Sequence, residues 1–157
     1  MEMHEIEPLL EASERLLSET SLSFRRSLYG QIDWNDRLIC IKGPKGTGKT
    51  TLILQHIRET FGVRTDKAVY LAMDYLWFSS HAVLDVVEWL YANGYTHVFL
   101  DEIQHVKNYE KAVDSLLARG GFDIYITGST SELLSSELAT LLTGRYVEIN
   151  VLPDRKS

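Results

Sequence analysis

Leu38-Ile39-Cys40-Ile41-Lys42-Gly43-Pro44-Lys45-Gly46-Thr47-Gly48-Lys49-Thr50-Thr51 is the stretch from which the fold follows. Its first four residues form a β-rich apolar run that stops at Gly43. Residues 43–50 fit the pattern G-x-x-x-x-G-K-[ST] at every fixed position, and residues 50–60 read as a helix carrying Leu52, Ile53 and Ile57. A strand, a glycine-rich turn and a helix in that order make a cradle for phosphate. The glycines let the backbone curl so that successive N–H groups point inward, and the helix adds unsatisfied N–H groups and the positive end of its dipole. Lys49 is placed to reach the β- and γ-phosphates of a nucleotide, and the Thr50 hydroxyl to ligate Mg²⁺. Gly43, Pro44, Lys45, Gly46, Thr47, Gly48, Lys49, Thr50 and Thr51 are the expected nucleotide contacts.

Downstream, apolar runs alternate with helical patterns. Residues 68–73, 97–100, 122–126 and 146–151 read as strands. Residues 81–92 carry Val83, Val86, Val87 and Leu90 on one helical face and end at Asn93-Gly94. Tyr109, Ala112, Val113, Leu116 and Leu117 fit the helical template, which Gly120-Gly121 stops. A last helix over 129–142 opens with a capping-box pair, Ser129 and Glu132. Five strands separated by helices predict an α/β fold: a parallel sheet covered on both faces.

The third strand ends in Asp101-Glu102, at the carboxyl edge where open α/β sheets bind ligands. Asp101 is the second expected Mg²⁺ holder, directly or through its water shell. Glu102 is the expected general base for the water that attacks the γ-phosphate, which makes the reaction hydrolysis. Gln104 could position water or sense a partner. Asp74, after the second strand, reads as a turn residue near the same edge. Trp77, Phe78 and Trp89 suit packing on the core or facing a lid better than base stacking.

The 157 residues have a formal net charge of −6, and the charge is uneven. Residues 1–36 hold eight acids and three bases, whereas residues 37–157 hold fourteen acids and thirteen bases. The division predicts an N-terminal helical leader over 1–36 that packs on a nucleotide-binding core over 37–157. In the leader Ile6, Leu9, Leu10, Leu16 and Leu17 recur near helical intervals, with Pro8 in a first turn. A partner-binding or oligomer-forming arm is the alternative. Arg25 and Arg26 read as a solvated pair. The single Cys40 forms no internal disulfide, no apolar run approaches bilayer length, and the acidic N-terminus is unlike a secretory signal. The expectation is a reduced, cytoplasmic protein with no membrane contact and no direct sign of nucleic-acid binding.

Together the two motifs resemble the P-loop ATPases with an extra catalytic glutamate, which include the AAA+ and RecA-like groups. Trp34-Asn35-Asp36-Arg37, the phosphate loop, Leu100-Asp101-Glu102-Ile103-Gln104, Ile126-Thr127-Gly128-Ser129 and Leu142-Thr143-Gly144-Arg145-Tyr146 resemble a prokaryotic AAA-type family. The resemblance implies a three-layer P-loop NTPase sandwich with strand order 5-1-4-3-2, and MgATP hydrolysis that drives a conformational change in a larger protein or assembly. It implies a sensor at Thr127 or Ser129, with Ser129 favoured, although Ser129 also suits a helix cap. It implies an arginine finger at Arg145, for which a structural ion pair is the alternative, and a homo-oligomer or protein partner. Such relatives continue into a helical lid and a C-terminal domain that are absent here, so weak binding and slow turnover are expected. A non-catalytic nucleotide-gated switch or scaffold is the alternative function. A GTPase lacks support because no [NT]-K-x-D segment occurs, and a P-loop kinase because Glu102 is present without an arginine-rich lid.

Overall fold

The computed structural model describes residues 1–23, 30–44, 46–129 and 147–151. Five strands, β1 (Leu38–Lys42), β2 (Ala68–Ala72), β3 (His97–Asp101), β4 (Asp123–Gly128) and β5 (Val147–Asn150), form one sheet of order β2-β3-β4-β1-β5. Every pair is parallel, with Ile39 beside Tyr125 and Val147, Tyr70 beside Phe99, and Phe99 beside Tyr125. This is the order 5-1-4-3-2 read from the other side. Among the described residues the α-helices are α1 (Met3–Glu19), α2 (Lys49–Phe61), α3 (Val83–Ala92) and α4 (Tyr109–Arg119). The expected helix over 129–142 lies outside the described residues beyond Ser129, as do Arg25, Arg26, Lys45 and Arg145.

Strand side chains alternate between two cores, as the two-residue repeat requires. Leu38, Cys40, Val69, Leu71, Val98, Leu100, Ile124 and Ile126 meet α3 and α4 on one face. Ile39, Ile41, Tyr70, Phe99 and Tyr125 meet α2 on the other. Helix α1 serves both: Ile6 and Leu9 enter the first core and Leu17 the second. It therefore straddles β2, the outer strand, and the Ser13 hydroxyl accepts the Tyr70 backbone N–H at 3.0 Å. Arg58 of α2 clasps the helix end by donating to the carbonyls of Leu17, Ser18 and Thr20.

Local boundaries differ from expectation in two places. Helix α1 begins at Met3, so Pro8 lies inside it rather than in its first turn. The carbonyl that Pro8 leaves without a donor belongs to His4, which is exposed to water. Helix α3 begins at Val83 instead of His81, after a 3₁₀ turn over Leu76–Ser79. His81 is spent on that turn, stacked on Trp77 at 3.7 Å with its Nδ1 2.9 Å from the Trp77 carbonyl. Trp77 donates its indole N–H to the Glu5 carbonyl at 3.0 Å, and Trp77, Phe78 and Trp89 pack on the first core.

The second core contains His56, stacked on Trp34 with ring centroids 3.9 Å apart. Burial lowers its pKa to about 4, helped by repulsion from His97 and opposed by Glu59. Between that value and the unfolded one near 6.5, the unfolded chain takes up a proton that the folded chain refuses, so stability falls as pH falls. The expected loss between pH 7.5 and pH 5 is about 2 kcal/mol. Urea unfolding at the two pH values measures it. His56→Phe keeps the stacked ring and should flatten most of the slope; an unchanged slope would remove His56 as its source.

Candidate functional site

The topology puts the loop after β1 at the carboxyl edge of the sheet. From β1 the chain crosses past β4 and β3 to reach β2, whereas β5 lies on the other side of β1. That divergence opens a crevice over the central strands. A cavity of about 570 Å³ occupies it, lined among others by Gly48, Lys49, Thr50, Tyr70, Asp101 and Glu102.

Two glycines shape the loop for separate reasons. A Cβ on Gly43 would stand 2.3 Å from the Val151 carbonyl oxygen, so the chain leaving β5 passes where any side chain would be. Gly48 caps α2 with φ +89°, a conformation costly for residues with a Cβ. Behind it α2 presents its first amides to the cavity, which suits phosphate oxygens. Lys49 is 4% exposed, and its ammonium donates to the carbonyls of Gly43 at 2.8 Å and Pro44 at 3.0 Å. Burial lowers the Lys49 pKa, while Glu102 and Asp101 favour its charged form. The lysine is thus folded onto its own loop, at the edge of the space that a phosphate would take.

Asp101 and Glu102 are neighbours in sequence but are held apart by different partners. Asp101 is 3% exposed, and a buried carboxylate needs donors around it. Three hydroxyls supply them: Thr50 donates to Oδ2 at 2.7 Å, Tyr70 donates to the same oxygen, and Thr127 donates to Oδ1. Burial, then the Asp101 charge, push the Tyr70 phenol up, so it stays a donor. Thr127 also accepts the Glu102 backbone N–H at 2.9 Å. Glu102 has φ +57°, uncommon for a residue with a side chain, and it opens a 3₁₀ turn over Ile103–His105. Its Oε2 accepts the Ser129 hydroxyl at 2.8 Å and the Gln104 amide. The same Gln104 Nε2 also donates to Ser129 Oγ at 3.0 Å.

Thr127 and Ser129, alternatives at sequence level for one sensor position, thus hold different carboxylates. Gly46, Thr51, Asp74 and His105 also line the cavity. Arg145 and Lys45 lie outside the described residues. Sequence reasoning missed Tyr70, whose only signal was a hydroxyl on an otherwise apolar strand. Cys40 is buried with its thiol pushed up to about 12 by burial and by Glu148, which excludes it as a nucleophile at neutral pH.

Magnesium held by one or two protein oxygens leaves its other positions to phosphate and water. Thr50 Oγ1 and Asp101 Oδ2 suit that demand, being hard oxygens 2.7 Å apart on one wall of the cavity. Among the described residues no group of three or more His, Cys, Asp or Glu side chains offers another metal site, and no helix is long and apolar enough to cross a membrane.

A sequence model of a protein family described as an AAA domain matches residues 35–155. An uncharacterized protein of Haemophilus influenzae is 31% identical over 147 residues, covering 87% of this chain and 37% of that protein. An uncharacterized protein of Methanocaldococcus jannaschii is 34% identical over 125 residues, covering 75% of this chain and 27% of that protein. The chain thus spans between about a quarter and two fifths of the length of these relatives. Among solved structures, that of C. elegans PCH-2 is similar with a TM-score of 0.46 and 22% identity, over 98% of this chain and 44% of that one.

Proposed function

The chain belongs to the AAA-domain family, and from that premise we propose that it binds and hydrolyses MgATP and passes the resulting change to a larger protein or assembly. The observation that carries this reading is the Thr50–Asp101 hydrogen bond of 2.7 Å in a cavity that Lys49 and Glu102 also line. Lys49 leaves the carbonyls of Gly43 and Pro44 and sets its charge against the β- and γ-phosphates. Thr50 and Asp101 would hold magnesium, which would offset phosphate charge and polarise the bond to be broken. Glu102 accepts a proton from water as the water oxygen bonds to the γ-phosphorus and the β–γ bridging bond breaks, releasing ADP and phosphate. Ser129 serves as the sensor, because its hydroxyl touches Glu102 at the cavity wall. Arg145 is proposed as a finger on a neighbouring subunit's nucleotide, and an oligomer or protein partner follows from that role.

A nucleotide-gated switch is the second reading. It is favoured by the two donors already on Glu102 Oε2, which hold this oxygen away from catalysis. Phosphate release from MgATP, with and without a chelator, together with calorimetric titration of a non-hydrolysable ATP analogue, separates the two. Magnesium-dependent release is the expected result; binding without release supports the switch, and neither binding nor release removes both.

A further inference from the structure

The geometry points to Gln104 as the positioning residue of the proposed hydrolysis: its side-chain amide locks Glu102 and Ser129 into one unit and determines which glutamate oxygen is left to act as base. This rests on the reading of Glu102 as that base. The amide orientation follows from charge, because a carboxylate only accepts and the NH₂ group must face Glu102 Oε2. With Ser129 donating to the same oxygen, Oε2 holds two donors, and no hydrogen bond to Oε1 occurs among the described residues. Oε1 is the oxygen left to take a proton from water.

Gln104 Oε1 supplies the second, independent observation. Among the described residues it is the buried side-chain polar atom without a hydrogen-bond partner. A side chain chosen for packing alone would be apolar here, because a buried carbonyl oxygen without a donor is unfavourable. The amide is worth its burial for what its NH₂ group holds. The left-handed backbone of Glu102 brings residue 104 back over residue 102, which places the two side chains in reach. Gln104 is absent from the cavity lining, so its action passes through Glu102 and Ser129 rather than through nucleotide.

Gln104→Met tests this, since methionine has similar length and no amide. Expected are a fall in kcat of about 10- to 100-fold with KM and the affinity for a non-hydrolysable ATP analogue unchanged, because a base displaced by a fraction of a bond length loses alignment without losing binding. The melting temperature should stay at or above the wild-type value. In a Glu102→Gln background the same change should cost nothing further. Unchanged kcat in Gln104→Met overturns the proposal and leaves hydrolysis standing, as does a further loss in the Glu102→Gln background. Parallel losses in melting temperature, KM and kcat show a structural role and also overturn it. A wild-type chain with no magnesium-dependent turnover overturns both this proposal and the hydrolytic reading beneath it.

Discussion

Glu102→Gln is expected to lower the rate of ATP hydrolysis about 10²- to 10⁴-fold while MgATP binds with an affinity within about threefold of wild type. The substitution keeps the size of the side chain and one oxygen able to accept the Ser129 hydroxyl, so the cavity wall keeps its shape. What it removes is the capacity to take a proton at neutral pH. ATP should therefore remain bound and intact, and filtration of labelled nucleotide with the protein, followed by chromatography, would recover it as triphosphate. Turnover at the wild-type rate would sink the assignment of Glu102 as base. Loss of binding in parallel with turnover would instead mean that the carboxylate serves the architecture of the cavity.

Lys49→Ala should weaken nucleotide binding enough that concentrations just saturating the wild-type chain leave half or more of the variant empty. A charge-assisted hydrogen bond is worth about 1.5–3 kcal/mol, so loss of the ammonium lowers affinity about 10- to 150-fold. Calorimetry on Lys49→Ala and on Lys49→Met, which retains the apolar stem, separates charge from packing. Both should lose affinity alike. If Lys49→Met binds like the wild type, the loop is held by the stem and the ammonium does not meet phosphate. Circular dichroism should show both variants folded, because the carbonyls of Gly43 and Pro44 sit in a loop that water can reach once the lysine is gone.

What sequence could reveal about this site depended on the distance over which each residue acts. The phosphate loop was legible because its glycines and lysine act within eight positions of one another, and Asp101-Glu102 because an acidic pair closes an apolar strand. The strand order could not come from periodicity, which says that strands exist but not which lie side by side; the family resemblance supplied it. Tyr70 was hidden. Alternation marks it as a core residue, and only the pairing of β2 with β3 brings its hydroxyl to Asp101. Thr127 and Ser129 looked like rivals because they share one strand end, and the turn of the backbone at Glu102 is what gives each its own carboxylate. The 3₁₀ turn before α3 escaped because Trp77 and His81 lie four apart, a helical spacing, and yet their rings stack outside any α-helix.

Helix α1 also separates two boundaries that are easily equated. The span that defines the family begins at residue 35, whereas the hydrophobic interior begins at Ile6. A chain trimmed to the matched span would keep every proposed nucleotide-contacting residue and lose the piece that joins the two cores around β2. The outer strand would then offer the Tyr70 amide to any extended peptide, an invitation to intermolecular sheet growth. The span proposed to recognise nucleotide is therefore smaller than the span expected to stay in solution, and changes at Ile6, Ser13 or Leu17 should register as poor yield before they register in any nucleotide assay.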